Sequence, residues 1–442
     1  MEIVKNTPDK LINPFTLFLF MERTLVKDLK AGKEVLLKGW VYEIRVLAKL
    51  GFILFRDRTG IVQCVVQGGL LSKLSELTLE SAVEIKGKTK TANVKAEFAR
   101  RDVEIDVNDL VIVSKAEKLP IHVNEKTTTT EFQNRLDYRF LDIRKPKIQA
   151  IFEVEATVMK GFREFMEKEG ALEAVFPSII GASSEGGTEL YRLKYFEQDA
   201  YLSQSCQLYK QMLACSLEKV FTLFTVWRAE KHNTPRHLNE SRQMDYEQGF
   251  ADEFVVMDVL GRCVQHIVKK VLEENKKELE ILGLKLIIPK IKYMTFAETN
   301  NLLKKEKVHT EETDLTPEGE RKLGELFPDT IVFVHDWPLA GKPFYIMPKG
   351  KELSCGFDAI YNGMEISSGG QRVHIPELLE KRLRAKGLNP KDFKSYIDSF
   401  RYGAPEHAGW GMGLERLTML ILGLDNIREV VLFPRDRTRL TP

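Results

Sequence analysis

The segment RAEKHNTPRHLNE, residues 228–240, sets the fold expected of this chain, because it concentrates charge between two apolar runs. FTLFTVW precedes it and SRQMDYEQGF follows it, and both runs have the composition of β-strands. The pattern therefore predicts a β-hairpin whose connection, here called the charged loop, holds two arginines, two histidines and two glutamates. Such a loop is either a solvated surface feature or one wall of an anion-binding site.

Two further segments have a related composition: FDAIYNGMEISSGGQRVH at 357–374 and GMGLERLTM at 411–419. Each combines arginine with a carboxylate in sequence that is otherwise apolar or rich in glycine. Arginine binds phosphate and carboxylate groups bidentately, and Asp358 and Glu365 offer the oxygen ligands that Mg²⁺ takes beside a polyphosphate. One such cluster is as well explained by a surface ion pair, but three together favour an anion site.

Two common nucleotide-binding motifs are not supported. The pattern Gly-x-x-x-x-Gly-Lys-Ser/Thr does not occur, so the chain is not a P-loop protein. GWGMG at 409–413 imitates a dinucleotide-binding fingerprint only weakly, because the preceding strand and the following spacing are missing.

The pattern of apolar residues divides the chain into regions. Short β-like runs separated by turn signals predict a small all-β barrel in the domain 21–115. Residues 116–147 are polar and irregular, and we expect a linker or hinge there. Apolar residues then recur at helical spacing from Ile148 to Met166, and Gly170 ends that helix. Helices and strands alternate unevenly afterwards, which predicts a mixed α+β domain over 148–442.

Composition excludes some classes of protein. The hydrophobic content of 43% and charged content of 29% are ordinary for a globular protein. A net charge of only +2 means that any nucleic-acid surface must be local. No run approaches 18 apolar residues, so no membrane association is expected. The five cysteines form no CxxC pair and no zinc spacing, which predicts reduced thiols in a cytoplasmic protein: Cys64, Cys206, Cys215, Cys263 and Cys355.

The first twenty residues differ from the rest. LINPFTLFLF is apolar but short, and neither a basic region nor a small-residue cleavage site accompanies it. We expect residues 1–20 to be a dispensable extension or a misassigned start, with a membrane or partner contact as the less favoured alternative.

These motifs together resemble class II aminoacyl-tRNA synthetases. The charged loop resembles the second motif of that family, and GALEAVFP resembles the end of the first, with Pro177 as its proline. GMGLERLTMLILGLDNIREVVLFPRDRTRLTP, residues 411–442, resembles the third motif with the C-terminal tail of archaeal and eukaryotic aspartyl-tRNA synthetases. The resemblance spans residues 21–442. It implies an α+β fold, with an N-terminal OB-fold barrel and an antiparallel catalytic sheet flanked by helices, and a homodimer.

The resemblance also implies an ATP site that uses Mg²⁺. Arg228 would bind the α-phosphate and the carbonyl of the activated amino acid, and Glu230 would lie near the adenine or the acceptor end. His237 would approach the γ-phosphate from one side and Arg416 from the other. The catalytic residues are thus expected to be Arg228, Glu230 and Arg416, with ATP contacts added by His237 and Glu365 and metal ligands supplied by Asp358, Glu365 and Ser368.

The expected reaction explains this choice of side chains. A carboxylate attacks the α-phosphorus, and it needs no general base because it is already ionised. Catalysis then consists of positioning and of cations that stabilise the developing charge.

The expected amino-acid substrate is L-aspartate. Aspartyl-tRNA synthetases hold the substrate's side-chain carboxylate with a lysine and an arginine, which match Lys210 in QLYKQ and Arg372 in SGGQRVH. Asparagine is nearly isosteric, but it would leave buried cations unmatched at a cost of about 3–5 kcal/mol. The other expected aspartate contacts are Glu185, Gln207, Asp245 and Ser368, with SSEGGTE at 183–189 as a mobile loop over the substrate.

The barrel is expected to bind the tRNA anticodon. Residues 21–100 hold fifteen basic and nine acidic residues, a local net charge of +6. By the resemblance, Phe52 stacks on the middle anticodon base, Gln63 reads that base's edge, and Arg45 makes a further contact. The alternative is that Phe52, and not Phe55, points into the barrel core.

Three rival functions remain open. An asparaginyl enzyme is disfavoured by Lys210, an asparagine synthetase by the barrel, and a silent RNA-binding paralogue by the intact arginines. Whether asparagine tRNA is charged as well as aspartate tRNA is left undecided. Three positions depart from the family's usual residues, namely Cys206, Lys231 and Gln248.

Overall fold

The computed structural model describes residues 21–124, 129–181, 190–231 and 233–442. It divides into two compact units, the first ending at Ile148 and the second beginning at Gln149. No helix among the described residues is long and apolar enough to cross a membrane. All five cysteines are described, and each is a free thiol. The N-terminal extension and Glu185, with the loop around it, lie outside the described residues.

The first unit contains a closed five-stranded barrel with the strand order β1-β2-β3-β5-β4. All neighbouring strands are antiparallel except β3 and β5, which pair in parallel. Alternate side chains fill the barrel, among them Phe55, which is fully buried. The barrel elements are β1 (Glu34–Val46), β2 (Leu50–Asp57), β3 (Gly60–Gln67), the short helix α1 (Leu71–Leu74), β4 (Ala82–Thr91) and β5 (Ala99–Ser114).

The segment after the barrel is more ordered than its polar composition predicted. It contains the helices α2 (Phe132–Asp137) and α3 (Arg139–Asp142). Asp142 is fully buried and accepts hydrogen bonds from Arg139 at 2.8 Å and Arg135 at 3.1 Å. The expectation of an irregular linker missed these helices, whose few buried residues mix leucines with charged side chains and form no apolar stripe.

The second unit is built on a large sheet. Eight strands of the described residues form it, in the order β12-β13-β16-β17-β18-β11-β10-β6. Its six central strands pair antiparallel, and the edge pairs β12–β13 and β10–β6 are parallel. These strands are β6 (Leu172–Glu173), β10 (Lys219–Trp227), β11 (Glu240–Gly249), β12 (Lys290–Thr295), β13 (Thr330–His335), β16 (Gly356–Tyr361), β17 (Met364–Gln371) and β18 (His407–Gly413).

Two small sheets and nine helices of the described residues complete this unit. The small sheets are β7 (Ile179–Ile180), β8 (Arg192–Tyr195) and β9 (Gln198–Leu202), and β14 (Pro348–Lys349) with β15 (Leu353–Ser354). The helices are α4 (Pro146–Lys168), α5 (Gln207–Leu217), α6 (Glu253–Glu274), α7 (Lys276–Leu282), α8 (Phe296–Lys305), α9 (Pro317–Leu326), α10 (Pro376–Ala385), α11 (Lys394–Ser399) and α12 (Leu414–Ile421).

The helices α4 and α6 cover one face of the large sheet. Phe162 of α4 packs edge-on against Phe221 of β10 and Trp410 of β18, with ring centroids 5.5 and 6.3 Å apart. Gly161 of α4 faces α6, where a Cβ would lie 3.4 Å from the Cα of Ile267, so the two helices are in close contact. The apolar stripe predicted from Ile148 to Met166 is the surface that α4 uses for this packing.

Strand alternation leaves the polar side chains on the opposite face. In β11 the buried Met244 and Tyr246 point toward the helices, so Asp245 and its alternate neighbours point the other way. In β18 the large side chains of Trp410 and Met412 likewise point to the face of the sheet that the helices cover. The second face of the sheet is therefore the place where a polar site can form.

Candidate active site

A cavity of about 290 Å³ lies over this polar face, within the second unit. Its walls come from the charged loop, β11, β17, β18 and the start of α12. Most residues predicted for the catalytic site line it: Gln207, Arg228, Glu230, His237, Asp245, Glu365, Ser368, Arg372 and Arg416. The side chains of Lys210 and Asp358, which were also predicted to belong to the site, lie just behind this wall. Glu185 lies outside the described residues.

The charged loop connects β10 and β11, as its sequence predicted, and it is tied together at its base. The amide of Arg228 donates to the carbonyl of Asn239 at 2.9 Å. The side-chain amide of Asn239 donates in return to the carbonyls of Arg228 at 2.7 Å and Glu230 at 2.9 Å. Within the described part of the chain, the Arg228 guanidinium has no carboxylate partner, so it is available to an anionic ligand.

The floor of the cavity is a buried network of charges. Lys210, on α5, donates to Asp245 at 2.6 Å and to the carbonyl of Trp410 at 2.8 Å. Its ammonium also lies 3.4 Å from Glu247. Arg372 donates to both oxygens of Glu247, at 2.8 and 3.2 Å. Glu247 thus joins the two cations that were predicted to hold the substrate side chain.

Electrostatics keep Glu247 ionised. Burial alone would raise the pKa of this carboxyl group, but the charges of Arg372 and Lys210 outweigh that effect and lower it. The floor therefore holds two positive charges, on Lys210 and Arg372, and two carboxyl groups, on Asp245 and Glu247. All four side chains are at most 3% exposed. The sequence analysis did not single out Glu247, because its partner Arg372 is 125 residues away.

The glycines of GWGMG give these carboxylates their space. Gly411 lies opposite Asp245 and Gly409 lies opposite Glu247 in the β11–β18 pair. A Cβ on Gly409 would meet a Glu247 oxygen at 2.2 Å, and one on Gly411 would meet an Asp245 oxygen at 2.9 Å. The alternating glycines therefore make room for the two carboxylates of the floor, and this role is unrelated to the dinucleotide fingerprint.

The predicted metal ligands form a second acidic region. Asp358 and Ser368 face each other across β16 and β17. Burial, with the nearby charge of Asp358, raises the pKa of Glu365. Lys342 donates to Asp358 at 2.6 Å, and Arg416 donates to the carbonyl of Glu365 at 2.7 Å. Lys342 is a further cavity residue that the sequence analysis missed, because nothing near it in the chain signals a site.

This donor set suits an ion that also takes ligands from a phosphate. No group of three histidine, cysteine, aspartate or glutamate side chains in the described residues is arranged to hold a metal. Mg²⁺ commonly binds one or two carboxylates together with phosphate oxygens and water, so a closed protein cage is not required. Burial first, and the charge of Asp358 second, raise the pKa of Glu365, and a dication bound beside these two carboxylates would favour their ionised forms.

The barrel has a cavity of its own, of about 280 Å³, and the three residues predicted for anticodon binding all line it. Arg45 and Phe52 are directly opposed in the β1–β2 pair, while Gln63 opposes Leu54 in β2–β3. Phe55 is the phenylalanine that fills the barrel core, so Phe52 lines the surface cavity. Gln63 donates to Glu104 at 2.7 Å.

An N-terminal five-stranded barrel, followed in the second unit by an antiparallel sheet with arginines on a hairpin loop, is typical of class II aminoacyl-tRNA synthetases. Residues 131–437 match the family of class II tRNA synthetases for D, K and N. Residues 35–113 match the OB-fold nucleic-acid-binding domain. The chain belongs to the class II family and is an aminoacyl-tRNA synthetase.

Individual relatives agree with this assignment over nearly the whole chain. An aspartate–tRNA(Asp/Asn) ligase of Methanocaldococcus jannaschii is 42% identical over 429 residues, covering 94% of this chain and 97% of the relative. An aspartate–tRNA(Asp) ligase of Thermoplasma volcanium is 40% identical over 426 residues, covering 94% and 98%. The crystal structure of asparaginyl-tRNA synthetase from Pyrococcus horikoshii with asparaginyl-adenylate superposes with a TM-score of 0.89 at 35% identity, covering 95% of this chain and 100% of that one.

Proposed function

We propose that this chain is an aspartate–tRNA ligase, which activates L-aspartate with ATP and transfers it to the 3′ end of tRNA. The observation that carries the proposal is the buried Lys210–Glu247–Arg372 network under a cavity walled by arginines. Relatives named as aspartate–tRNA ligases, at about 40% identity over most of the chain, support the same substrate.

The first step is adenylate formation. The α-carboxylate of aspartate attacks the α-phosphorus of ATP, a new P–O bond forms, and the bond to pyrophosphate breaks. Arg228 would neutralise charge on the α-phosphate, while His237 and Arg416, which line the same cavity, would hold the leaving phosphates. Preorganised cations of this kind lower the barrier without any proton transfer. Glu230, on the same loop, faces the adenine or the tRNA acceptor end.

Mg²⁺ fits the acidic region as a cofactor bound with ATP. Asp358, Glu365 and Ser368 would hold it, and the ion would neutralise phosphate charge. Lys342 donates a hydrogen bond to Asp358 at 2.6 Å beside this region. The rest of catalysis depends on the protein's own side chains, which bind and orient ATP and aspartate.

Aspartate selection uses the floor of the cavity. The side-chain carboxylate of aspartate would add one negative charge beside Lys210 and Arg372, which already lie together with their hydrogen-bond donors fixed. Gln207 and Asp245 line the same end of the cavity, where the α-ammonium of the substrate requires acceptors. Asparagine brings no charge, so it would gain none of this attraction while still displacing water from the ions.

Activation of asparagine is the second candidate, and a specific observation favours it. The Pyrococcus enzyme that superposes so closely was crystallised with asparaginyl-adenylate, so the fold and sheet do not separate the two substrates. The distinction therefore lies in a few side chains, and Lys210 with Arg372 is the pair whose charge favours aspartate.

The barrel cavity is proposed to bind the anticodon. Phe52 presents a ring for stacking on a base, and Gln63 and Arg45 offer polar groups around it. Because the relatives include enzymes named for both tRNA(Asp/Asn) and tRNA(Asp) alone, charging of asparagine tRNA is a property to be measured.

A homodimer is also proposed. The segment that follows α4 exposes apolar side chains within the second unit, with Val175 94% exposed and Leu172 and Ile179 about half exposed. Apolar side chains exposed together on one short segment suit contact with a second copy. Light scattering that returns the mass of one chain would contradict this part of the proposal.

The test is aminoacylation by the purified chain with labelled aspartate or asparagine on separate transcripts of aspartate and asparagine tRNA. Aspartate attached to aspartate tRNA supports the proposal, and attachment to both tRNAs adds the second tRNA as a substrate. Asparagine transfer would establish the rival enzyme. Adenylate formation without any transfer would point to an asparagine synthetase, and no reaction at all to a silent paralogue.

A further inference from the structure

The end of the chain lies along the charged loop. The segment that follows α12, residues 427–437, is here called the C-terminal segment. The amide of Ile427 donates to the carbonyl of Pro235 at 2.8 Å, and the amide of Asn239 donates to the carbonyl of Arg435 at 2.9 Å. Arg437 donates to the carbonyl of Lys231 at 3.1 Å. The loop is therefore bonded to this segment at several points between its base and its tip.

Arg428 makes the central contacts between the two segments. Its Nη1 donates to the carbonyl of Thr234 at 3.0 Å, and its Nη2 donates to Oδ1 of Asn233 at 2.5 Å. Its Nε donates to Oδ2 of Asp436 at 2.7 Å. The three nitrogens of one planar group thus reach three different acceptors, which a lysine ammonium on a single flexible stem cannot reproduce.

Asp436 is held in turn by its own surroundings. Its other oxygen, Oδ1, accepts from the amides of Thr438 and Arg439, both at 2.9 Å. Burial would raise the pKa of Asp436, but hydrogen bonds from Arg428 and the following residues outweigh that effect and lower it. Arg428 and Asp436 are each at most 8% exposed in their side chains. The pair is a fixed, ionised anchor within the C-terminal segment.

The anchored part of the loop leads directly to a cavity residue. Thr234, whose carbonyl accepts from Arg428, shares a 2.7 Å hydrogen bond between its hydroxyl and Nδ1 of His237. His237 lines the cavity, whereas Arg428 does not. A shift of Thr234 would therefore turn the His237 ring, with no direct contact between Arg428 and a substrate.

We propose that Arg428, anchored by Asp436, is a positioning residue that fixes the tip of the charged loop in the orientation that binds ATP. The inference rests on the proposed function, in which His237 faces the terminal phosphates of ATP. Small misplacements of a positioned group are costly, about a hundredfold in rate for about 1 Å.

The test compares Arg428→Lys and Asp436→Asn with the wild-type chain and with the matched control Arg262→Lys. Arg262 also joins two carboxylates, Glu169 and Asp258, but it lies on α6 and contacts neither the loop nor the cavity. The dissociation constant of ATP is measured by calorimetry. The KM values for ATP and aspartate come from aspartate-dependent exchange of pyrophosphate into ATP, and hydrogen exchange reports on the loop amides.

For both Arg428→Lys and Asp436→Asn we expect ATP to bind about ten- to a hundredfold more weakly. The KM for aspartate should stay within about twofold, because the buried floor is untouched, and loop amides such as that of Asn239 should exchange faster. Arg262→Lys should leave all of these quantities unchanged. Asp436→Asn keeps the arginine in place, so it tests the anchor even if the lysine variant is less stable.

Three outcomes overturn the inference: ATP binding equal to wild type in both variants, an equal loss in the control, or an equal rise in both KM values together with a lower melting temperature. A wild-type chain that binds ATP but does not activate aspartate would instead refute the proposed function. In that case the role of Arg428 is still decided by the dissociation constants of ATP in the variants and the control, together with the exchange rates of the loop amides.

Discussion

The cavity over the sheet and the cavity on the barrel differ in how their polar side chains are held. In the sheet cavity, Lys210, Glu247 and Arg372 are each at most 2% exposed and are bonded to one another. On the barrel, Arg45 is 56% exposed and pairs with Glu43 at 2.6 Å. A buried ion pair that loses one member leaves an uncompensated charge, whereas an exposed pair contributes little. We therefore expect the proposed aspartate site to be held more rigidly than the proposed anticodon site.

The largest effect should come from breaking the buried network at Glu247. Glu247→Gln leaves Arg372 and Lys210 without their shared anion, so we expect the free energy of unfolding of the second unit to fall by about 3–5 kcal/mol. The matched change on the barrel, Glu43→Gln, should cost under about 1 kcal/mol. Urea denaturation followed by tryptophan fluorescence measures both, and similar losses would show that the two sites do not differ as described.

A loss of catalysis, in addition to the loss of stability expected when a buried ion pair loses one member, should follow from Lys210→Met. This change removes the ammonium at nearly constant volume, so aspartate loses a cationic partner. We expect kcat/KM for aspartate to fall about 10²- to 10³-fold. The KM for ATP should change little, since the charged loop is intact. Equal losses with both substrates would mean that Lys210 supports the fold and not substrate selection.

The barrel offers a pair of phenylalanines that sharpens the comparison further. Phe52→Ala should weaken tRNA binding by about 1–3 kcal/mol and leave adenylate formation unchanged, because Phe52 lines a surface cavity. Phe55→Ala should instead lower the free energy of unfolding by about 3–5 kcal/mol, because Phe55 fills the core. Filter binding and thermal melting separate the two, and a melting loss in Phe52→Ala would contradict its assignment.

The last expected effect is a change in the pH dependence of stability. Burial and the charge of Glu365 raise the pKa of Glu320 from 4.5 to about 7. The folded chain then binds more protons than the unfolded chain across this window, so stability should fall as pH rises from about 4.5 to 7. Glu320→Gln should flatten that slope, as measured by urea midpoints at several pH values. An unchanged slope would show that Glu320 titrates normally.

Features with a short-range signal were predictable from the sequence. Alternation and helical spacing located the barrel strands and α4, and the density of arginine marked the charged loop. Phe52 and Gln63 were expected to share one surface by the resemblance to the family, and they lie on neighbouring strands and line one cavity.

Features that depend on distant partners were not predictable. Glu247, Lys342 and Arg428 are ordinary charged residues in the sequence, and their importance comes from acceptors brought near by the sheet. GWGMG carried a signal, but its glycines make room for carboxylates on the neighbouring strand. Of the departures from the family's pattern, Gln248 accepts a hydrogen bond from Tyr246 at 2.7 Å and Cys206 is fully buried, so both fit locally.

In the proposed function, the buried Lys210–Glu247–Arg372 network selects aspartate by charge. This selection is tested most directly by the ratio of kcat/KM for aspartate to that for asparagine, measured in pyrophosphate exchange with the wild-type chain. The account predicts a ratio of at least about 10² in favour of aspartate. A ratio near one, or one that favours asparagine, would contradict it.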